Sequence, residues 1–356
     1  MHVVGTGTIG EPLIHLLAGQ RKDIGIGEVS FHKRTPLIEE IEKVRYMMEK
    51  GAVFSADEDQ FSKFAALGLK PNLSHEEALK RADVIIDCTP AGNQNKEKYY
   101  NALSRNFPKK GFIAQGSEEN FGKPYIWTIN DPALNQEKDR FLQVVSCNTH
   151  NLACIVNTIV IAPDGLENLE RCNSVIVRRG SNISEDKTVP GAEAEALKKK
   201  YAPYGSHQAY DAVRVFKTFL DAKEIPLHSQ VLKISSQYMH VGVFTLDFRN
   251  PRSFEEIFNR LKDNPLVAFS HIKSTNKIVG RARDASKIQG RILNQTVLYQ
   301  DALEVSENGK TVYGVYFTPQ DGNALLSSVA ATLWLLDPKT YKEKMRVFDK
   351  YLFKMI

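Results

Sequence analysis

The sequence lacks the features that would place the protein in a membrane or on nucleic acid. None of its 356 residues lie in an apolar run long enough to span a bilayer. The first apolar strand is predicted to start at residue 2, so we expect no signal peptide. The net charge of +5 suits small anionic substrates but is too weak to indicate a nucleic-acid partner. We therefore expect no membrane and no nucleic acid among its partners.

Cysteine is also scarce. The four cysteines, at 88, 147, 154 and 172, show neither the spacing of metal ligands nor the density of a disulfide framework. We therefore predict no metal site and a reducing, cytoplasmic location. The apolar content of 42% and charged content of 25% are typical of a globular protein, and the length suggests two domains.

Glycine, by contrast, is concentrated in a turn near the start of the chain. A short apolar strand leads into G-x-G-x-x-G, formed by Gly5, Gly7 and Gly10. In this motif the first glycine allows a tight turn, the second lets a pyrophosphate approach, and the third lets the next helix pack closely. The N-terminus of that helix offers N–H groups to phosphate oxygens. The turn, with Thr8 and Ile9, therefore predicts a dinucleotide site.

Strands and helices alternate through the first third of the chain. Residues 24–32, 82–88 and 111–115 are predicted strands, residues 36–50 are a predicted helix, and Ser74 and Glu77 form a capping box that opens another. This alternation predicts an α/β fold with a Rossmann-type, doubly wound parallel sheet. The character of the sequence changes near residue 140, and longer β-like runs from Val175 onward predict an α+β domain with a mixed, largely antiparallel sheet. The predicted boundaries are 1–139, completed by C-terminal helices in 323–356, and 140–322.

No carboxylate follows the second predicted strand, where an NAD-preferring fold places one for the ribose hydroxyl. Residues 31–36 instead read Phe-His-Lys-Arg-Thr-Pro. The cations of Lys33 and Arg34 and the hydroxyl of Thr35 suit a 2′-phosphate, which accepts charge-assisted hydrogen bonds. An exposed basic turn is the alternative interpretation. The segment predicts a preference for NADP, with NAD possible.

Cys147 lies where an apolar strand ends and a helix is predicted to begin. The positive end of a helix dipole lowers the pKa of a thiol there and favours the thiolate, a strong nucleophile toward an aldehyde carbon. The other three cysteines lie in or beside apolar segments and fit a packing role. We therefore predict that Cys147 is a catalytic nucleophile.

Several segments together resemble the archaeal-type glyceraldehyde-3-phosphate dehydrogenases. The cysteine segment, Val144 to Thr149, and the paired-arginine strand, Val175 to Gly180, are the most specific, whereas many dehydrogenases share the glycine turn. The resemblance extends over nearly the whole chain. Its other segments are 5–10, 87–92, 112–116, 205–207 and 238–240.

The resemblance implies a phosphorylating, NADP-preferring enzyme of glycolysis and gluconeogenesis that acts on glyceraldehyde 3-phosphate and inorganic phosphate as a homotetramer. It makes Cys147 the nucleophile and His240 its acid–base partner. Adjacent strand residues point to opposite faces, so at most one of Arg178 and Arg179 is expected to face a phosphate, and the resemblance favours Arg179. A histidine in a strand is otherwise more often a core residue. The remaining implied contacts are Ser146, Asn148, Thr149, His207 and Gln208 for substrate or phosphate, and Thr89, Pro90, Gly116 and Gln320 for the cofactor.

The sequence departs from the family pattern at three residues and in the segment between His207 and His240, which is several residues longer than usual. His150 follows the cysteine segment, Gln208 replaces a histidine after His207, and Gly242 replaces a histidine after His240. Two other interpretations therefore stay open. One is a related acyl-phosphate reductase such as an aspartate-semialdehyde dehydrogenase, and the other is a non-catalytic NADP-binding regulator on the same scaffold.

Overall fold

The computed structural model describes residues 1–116, 118–181, 191–236, 238–286, 294–319 and 322–356. Within these ranges the chain divides into two compact units. The first unit comprises residues 1–127, 134–144 and 325–349, and the second comprises residues 128–133, 145–324 and 350–356.

The first unit is built on a parallel sheet. In its described residues, eight strands follow the order β4-β3-β2-β1-β5-β6-β8-β7, and every neighbouring pair is parallel. The strands are β1 (His2–Val4), β2 (Ser30–His32), β3 (Val53–Ala56), β4 (Leu73–Ser74), β5 (Val84–Asp87), β6 (Gly111–Gln115), β7 (Lys123–Tyr125) and β8 (Phe141–Val144). The helices are α1 (Gly10–Gln20), α2 (Ile41–Glu49), α3 (Phe61–Ala66), α4 (His75–Arg81), α5 (Gly92–Asn95), α6 (Asn101–Asn106), α12 (Leu325–Leu336) and α13 (Tyr341–Met345).

The second unit contains a mixed sheet. Its described strands follow the order β10-β11-β9-β12-β15-β14-β13, with antiparallel pairing except for β11 with β9 and β14 with β13. The strands are β9 (Leu169–Arg179), β10 (Ala192–Ala194), β11 (Leu227–Ile234), β12 (His240–Phe248), β13 (Val267–Ser270), β14 (Thr296–Val305) and β15 (Thr311–Thr318). The helices are α7 (Cys147–Val156), α8 (Ala162–Asp164), α9 (His207–Phe216), α10 (Phe254–Asp263) and α11 (Thr275–Ser286). Both sheets confirm the predicted fold class.

Local sequence signals explain several elements and mislead in others. The strand at 111–115 is confirmed, and Ser74 and Glu77 form the predicted capping box at α4. The second strand is shorter than predicted and begins at Ser30, because Gly25 turns the chain at φ +71°. The helix predicted over 36–50 begins as a 3₁₀ turn at 38–40 before α2. The short strand β10 at 192–194 is not indicated by a local apolar pattern, and residues 182–190 before it lie outside the described ranges.

The described ranges contain neither a membrane-spanning helix nor a metal-binding cluster. No helical segment there has both the length and the apolar character that crossing a bilayer requires. In the same residues, no group of three or more His, Cys, Asp and Glu side chains could hold a metal ion.

An ion cluster fixes the end of the helical segment that starts at Cys147. That segment runs through residues 157–161 to Asp164, whose carboxylate accepts hydrogen bonds from Arg252 at 3.0 Å and from Arg260 at 2.7 Å. Burial would raise the pKa of Asp164, but the two guanidinium groups hold it at about 2. The carboxylate is therefore charged throughout the neutral range.

We expect Asp164→Asn to lower the free energy of unfolding by about 2 kcal/mol, because hydrogen bonds to charged groups are lost. The folded-state pKa is depressed, so this stabilisation is complete above the unfolded value of about 3.9 and disappears as pH falls through about 2. Urea denaturation at several pH values measures both effects. Asp284→Asn, which breaks the exposed pair with Arg283, is the control and should change little. Equal stabilities of the Asp164 variant and the unmodified protein at neutral pH would contradict the expectation.

Candidate functional site

The glycine turn of the first unit has the geometry of a phosphate-binding loop. Gly5 has φ +97°, a conformation that favours glycine. A Cβ at Gly10 would lie 2.0 Å from the Gly5 carbonyl oxygen, so α1 can pack this closely only because residue 10 has no side chain. A Cβ at Gly7 would meet nothing within 4 Å, which leaves open space beside the backbone. Each glycine therefore fits the role that its place in the motif predicts.

A cavity of about 400 Å³ adjoins this turn. Its volume falls in the range of small-molecule sites. Six residues predicted to hold the cofactor line it, while Gly7, Thr8, Ile9, Gly10 and Gly116 are not among its lining residues. The six are Gly5, Lys33, Arg34, Thr35, Thr89 and Pro90. The first unit thus has room and suitable donors for part of a dinucleotide.

Carboxylates from other segments approach the basic turn. The Lys33 ammonium is buried and pairs with Glu40, which also pairs with Lys43. Burial would raise the pKa of Glu40, but these lysines hold it below its usual value, so the pair is charged. Arg34 is exposed and lines the cavity together with Asp57. Arg34 is therefore more accessible to an anionic ligand than Lys33.

Cys147 is the first residue of α7 in the second unit. This helix has ten residues, and Ser146 occupies the position before it. The Ser146 hydroxyl lies 2.9 Å from the Thr149 hydroxyl. Asn148 is 3% exposed, and no described residue forms a hydrogen bond to its Oδ1. The half-buried Cys147 thiol thus lies at the positive end of a helix dipole, as predicted from the sequence.

His150 contributes no positive charge to this helix end. Burial lowers its pKa to about 4, although hydrogen bonds to the carbonyls of Ser146 and Val145 raise it. The imidazole is neutral at pH 7, with Nδ1 3.1 Å from the Ser146 oxygen. The residue that departs from the family pattern therefore supports the backbone before Cys147.

An amide network that the sequence did not reveal holds the start of α7. Asn151 lies one turn after Cys147 and donates to the Thr318 hydroxyl at 2.8 Å. The Asn323 amide donates to the Cys147 carbonyl and to the Asn151 Oδ1, both at 2.6 Å. Thr318 pairs with His240 in the sheet. The network therefore joins the cysteine helix to the strand next to His240.

The other three thiols lie in different surroundings. Burial raises the pKa of Cys88 and Cys154, and it raises the pKa of Cys172 to about 12. Cys154 and Cys172 are buried, and Cys88 lies beside the Asp87 carboxylate, which raises its pKa further. None of these three favours a thiolate at neutral pH.

His240 begins β12 and is 2% exposed. Its Nδ1 accepts a hydrogen bond of 2.9 Å from the backbone N–H of Arg179, at the end of the neighbouring strand. With Nδ1 as an acceptor, the neutral ring carries its proton on Nε2. In this tautomer the ring can donate a hydrogen bond through Nε2.

The two arginines at the end of β9 differ in their surroundings. Arg179 is buried, and its guanidinium donates to the Tyr238 carbonyl at 3.0 Å. Arg178 forms an ion pair with Glu195 at 2.6 Å in which both side chains are more than a third exposed. Such an exposed ion pair is common for arginine on protein surfaces.

His207 lies at the first residue of α9, beside a small cavity that Glu195 and Lys198 also line. Burial and the nearby cations Arg178, Lys198 and Lys200 lower its pKa to about 4. The next residue, Gln208, is 1% exposed, and its Oε1 has no hydrogen-bond partner among the residues that the structure describes. The cations and the helix N-terminus give this corner a positive potential.

The remaining predicted residues have different placements. Thr89 donates to Asp87 through its backbone N–H and its hydroxyl, at 2.9 and 2.6 Å. Gly116 has φ +72° and open space beside it. Gln320 lies outside the described residues. Among the described residues around Cys147, sequence reasoning missed Asn151 and Asn323.

Comparison with known protein families finds no match to a family model. Comparison with curated proteins finds archaeal relatives named glyceraldehyde-3-phosphate dehydrogenase. The relative from Pyrobaculum arsenaticum is 26% identical over 360 aligned residues, which cover 98% of this chain and 96% of its own length. The relative from Sulfolobus acidocaldarius is also 26% identical, and its alignment covers 86% of this chain and 84% of the relative. The relative from Metallosphaera sedula is 26% identical, with 92% of this chain and 90% of the relative covered.

The chain resembles archaeal glyceraldehyde-3-phosphate dehydrogenases along nearly its whole length. This similarity confirms the resemblance drawn from the motifs. Combined with the doubly wound parallel sheet, it supports an oxidoreductase that uses a nicotinamide dinucleotide.

Proposed function

We propose that the protein is an NADP-preferring, phosphorylating glyceraldehyde-3-phosphate dehydrogenase. The observation that carries this proposal is the placement of Cys147 at the N-terminus of a ten-residue helix, in a chain similar to dehydrogenases of that name. The network of Asn151 and Asn323 supports it, because it joins that helix to the strand beside His240.

The proposed chemistry starts at the Cys147 sulfur. The thiolate adds to the aldehyde carbon, and the carbonyl electron pair moves to the oxygen, which becomes an oxyanion. When the oxyanion re-forms its double bond, the carbon loses a hydride and becomes a thioester. A bound nicotinamide cofactor would supply the acceptor for that hydride. A phosphate oxygen then attacks the thioester carbon, and the Cys147 thiolate leaves.

In this scheme His240 donates a hydrogen bond from Nε2 to the substrate oxygen. The Arg179 N–H fixes the tautomer that makes this donation possible. A thiolate that adds to an aldehyde yields an oxyanion directly, so no hydroxyl proton has to be removed before the hydride leaves. Action of His240 as a general base through Nε2 requires the other tautomer and loss of the contact with Arg179.

The phosphate groups are assigned to the cationic ends of β9 and α9. Arg179, His207 and Gln208 are the proposed donors, and the cations around His207 provide the attraction. A bound phosphate would raise the pKa of His207, because its negative charge opposes these cations. Arg178 contributes through the same positive potential.

The cofactor is assigned to the first unit. The glycine turn would hold the pyrophosphate, and Arg34 with Thr35 would hold the 2′-phosphate beside the cavity. Because Lys33 is already paired with Glu40, we propose that Arg34 makes the larger contribution to NADP preference.

We expect Arg34→Ala to weaken NADP binding by about 10- to 100-fold, the equivalent of one lost charge-assisted hydrogen bond, with a much smaller effect on NAD. Lys33→Ala should have a smaller effect, and the double variant should lose the preference. Titration of both cofactors at low and high salt measures this, and the discrimination should shrink as salt rises. Arg45→Ala, in an exposed pair with Glu42, is the control. Equal affinities of the unmodified protein for NAD and NADP would favour the exposed basic turn.

A substrate comparison tests the function against the related reductases. The purified protein is incubated with NADP⁺ and phosphate and with either glyceraldehyde 3-phosphate or aspartate semialdehyde. We expect reduced cofactor only with the former, because the proposed phosphate donors serve a phosphorylated substrate. Faster reduction with aspartate semialdehyde, or none with either aldehyde, would overturn the proposal.

A further inference from the structure

Two aromatic rings lie over two glycines in the centre of the second sheet. In the register of β12 and β15, Gly242 pairs with Tyr316 and Phe244 pairs with Gly314. A Cβ at position 314 would lie 2.4 Å from the Phe244 ring, and one at position 242 would lie 2.1 Å from Cζ of Tyr316. The rings are 6.2 Å apart and inclined by 27°. Each glycine therefore makes room for the ring from the opposite strand.

The two rings differ only in the phenolic hydroxyl. Phe244 packs over its glycine with an apolar ring, so packing over a glycine does not require the hydroxyl that Tyr316 carries. Tyr316 is fully buried, yet its hydroxyl has no hydrogen-bond partner in the described residues. The Ser174 hydroxyl is also buried and lies close enough to affect the pKa of Tyr316, but the two hydroxyls do not meet hydrogen-bond distance and angle criteria. An unsatisfied buried hydroxyl destabilises a fold, which marks the Tyr316 hydroxyl as a candidate donor to a bound ligand.

The position of this hydroxyl connects it with the proposed nucleophile. Gly242 lies two residues after His240, so both face the same buried side of β12. A Cβ at position 242 would lie 2.5 Å from Oη of Tyr316. The hydroxyl therefore occupies the place that a side chain at position 242 would take. Helix α7, which begins at Cys147, packs on β9, β12 and β15.

Electrostatics agree with this placement. Burial raises the pKa of Tyr316 well above its usual value; the neighbouring Ser174 hydroxyl opposes this rise, and Cys172 and Cys147 add to it. The phenol therefore keeps its proton at neutral pH and acts as a donor.

We propose that the Tyr316 hydroxyl donates a hydrogen bond to the oxyanion that forms when Cys147 adds to a carbonyl group. The inference rests on the proposed function, since it needs Cys147 as the nucleophile. It adds a donor next to His240 and explains why glycine is present at position 242.

The test uses p-nitrophenyl acetate, which acylates a reactive thiolate without cofactor or sugar phosphate. The Cys147 sulfur adds to the ester carbonyl, the oxygen becomes an oxyanion, and its collapse expels p-nitrophenolate and leaves an S-acetyl thioester. Alkylation by iodoacetamide displaces iodide at a saturated carbon and forms no oxyanion. The ratio of the two rates therefore isolates stabilisation of the oxyanion from reactivity of the thiolate.

We expect Tyr316→Phe to slow the acetylation burst by roughly 100-fold, as for loss of an oxyanion donor, and to leave alkylation of Cys147 unchanged. Tyr313→Phe is the matched control, because Tyr313 is on the same strand but on its exposed face, and both rates should stay the same. An undiminished burst in Tyr316→Phe, an equal loss in both reactions, or no burst in the unmodified protein would overturn the proposal. A normal burst without oxidation of glyceraldehyde 3-phosphate would instead contradict the proposed function.

Discussion

We expect Cys147→Ser to abolish aldehyde oxidation, with a loss of at least about 10³-fold, because removal of a catalytic nucleophile removes the covalent route. A serine hydroxyl at the N-terminus of α7 does not ionise at neutral pH. Binding of NADP should be unchanged, since the proposed cofactor residues lie in the first unit. Steady-state assays and cofactor titration measure the two properties.

The matched control is Cys154→Ser. Cys154 lies on the same helix, and its sulfur is near the Thr158 hydroxyl and the Asn264 amide, so a serine hydroxyl there can form hydrogen bonds. This variant should keep its activity. Substantial activity of Cys147→Ser would remove Cys147 from the role of nucleophile.

Alkylation tests the same prediction without turnover. In the unmodified protein, iodoacetamide should modify Cys147 much faster than Cys88, Cys154 or Cys172. Burial raises the pKa of those three thiols, and only the thiolate reacts. Peptide mapping after brief exposure identifies the modified residue. Preferential modification of any other cysteine would contradict the assignment.

His240→Asn should lower kcat by roughly two to four orders of magnitude and change KM much less. The Oδ1 of asparagine can still accept the Arg179 N–H, so the strand end is preserved while the function of Nε2 is lost. Kinetics and thermal unfolding, measured on the same preparation, separate catalysis from stability. A fall in stability with little change in kcat would favour a core role for His240.

His240→Gln distinguishes the two possible roles of the imidazole. A glutamine amide reaches further than asparagine and can donate a hydrogen bond, but it cannot accept a proton at neutral pH. If Nε2 acts as a donor, the glutamine variant should retain more activity than the asparagine variant. Equal losses in the two variants would favour general-base action.

The sequence predicted those parts of the fold that depend on local signals. The glycine turn, the capping box of Ser74 and Glu77, and the apolar strand at 111–115 are set by neighbouring residues. The boundaries predicted for the second strand were wrong, because a turn with a positive φ at Gly25 interrupts a run of residues that has the pattern of a strand. Local pattern does not reveal such a turn when alternation of apolar residues continues through it.

The contacts around the candidate site could not be predicted, because they join residues that are distant in sequence. Asn151 meets Thr318 and Asn323 only after the second sheet has formed. The pairing of Gly242 with Tyr316 depends on the register of two antiparallel strands. A glycine in the middle of a strand signals a close neighbour, but it does not identify that neighbour.

Dependence on phosphate is the most direct test of the central claim. The protein is mixed rapidly with NADP⁺ and glyceraldehyde 3-phosphate, and formation of reduced cofactor is followed with and without inorganic phosphate. We predict a single-turnover burst in both cases and continued turnover only with phosphate, because the Cys147 thioester needs phosphate as its acceptor. Steady turnover at the same rate without phosphate, or no burst at all, would contradict the account.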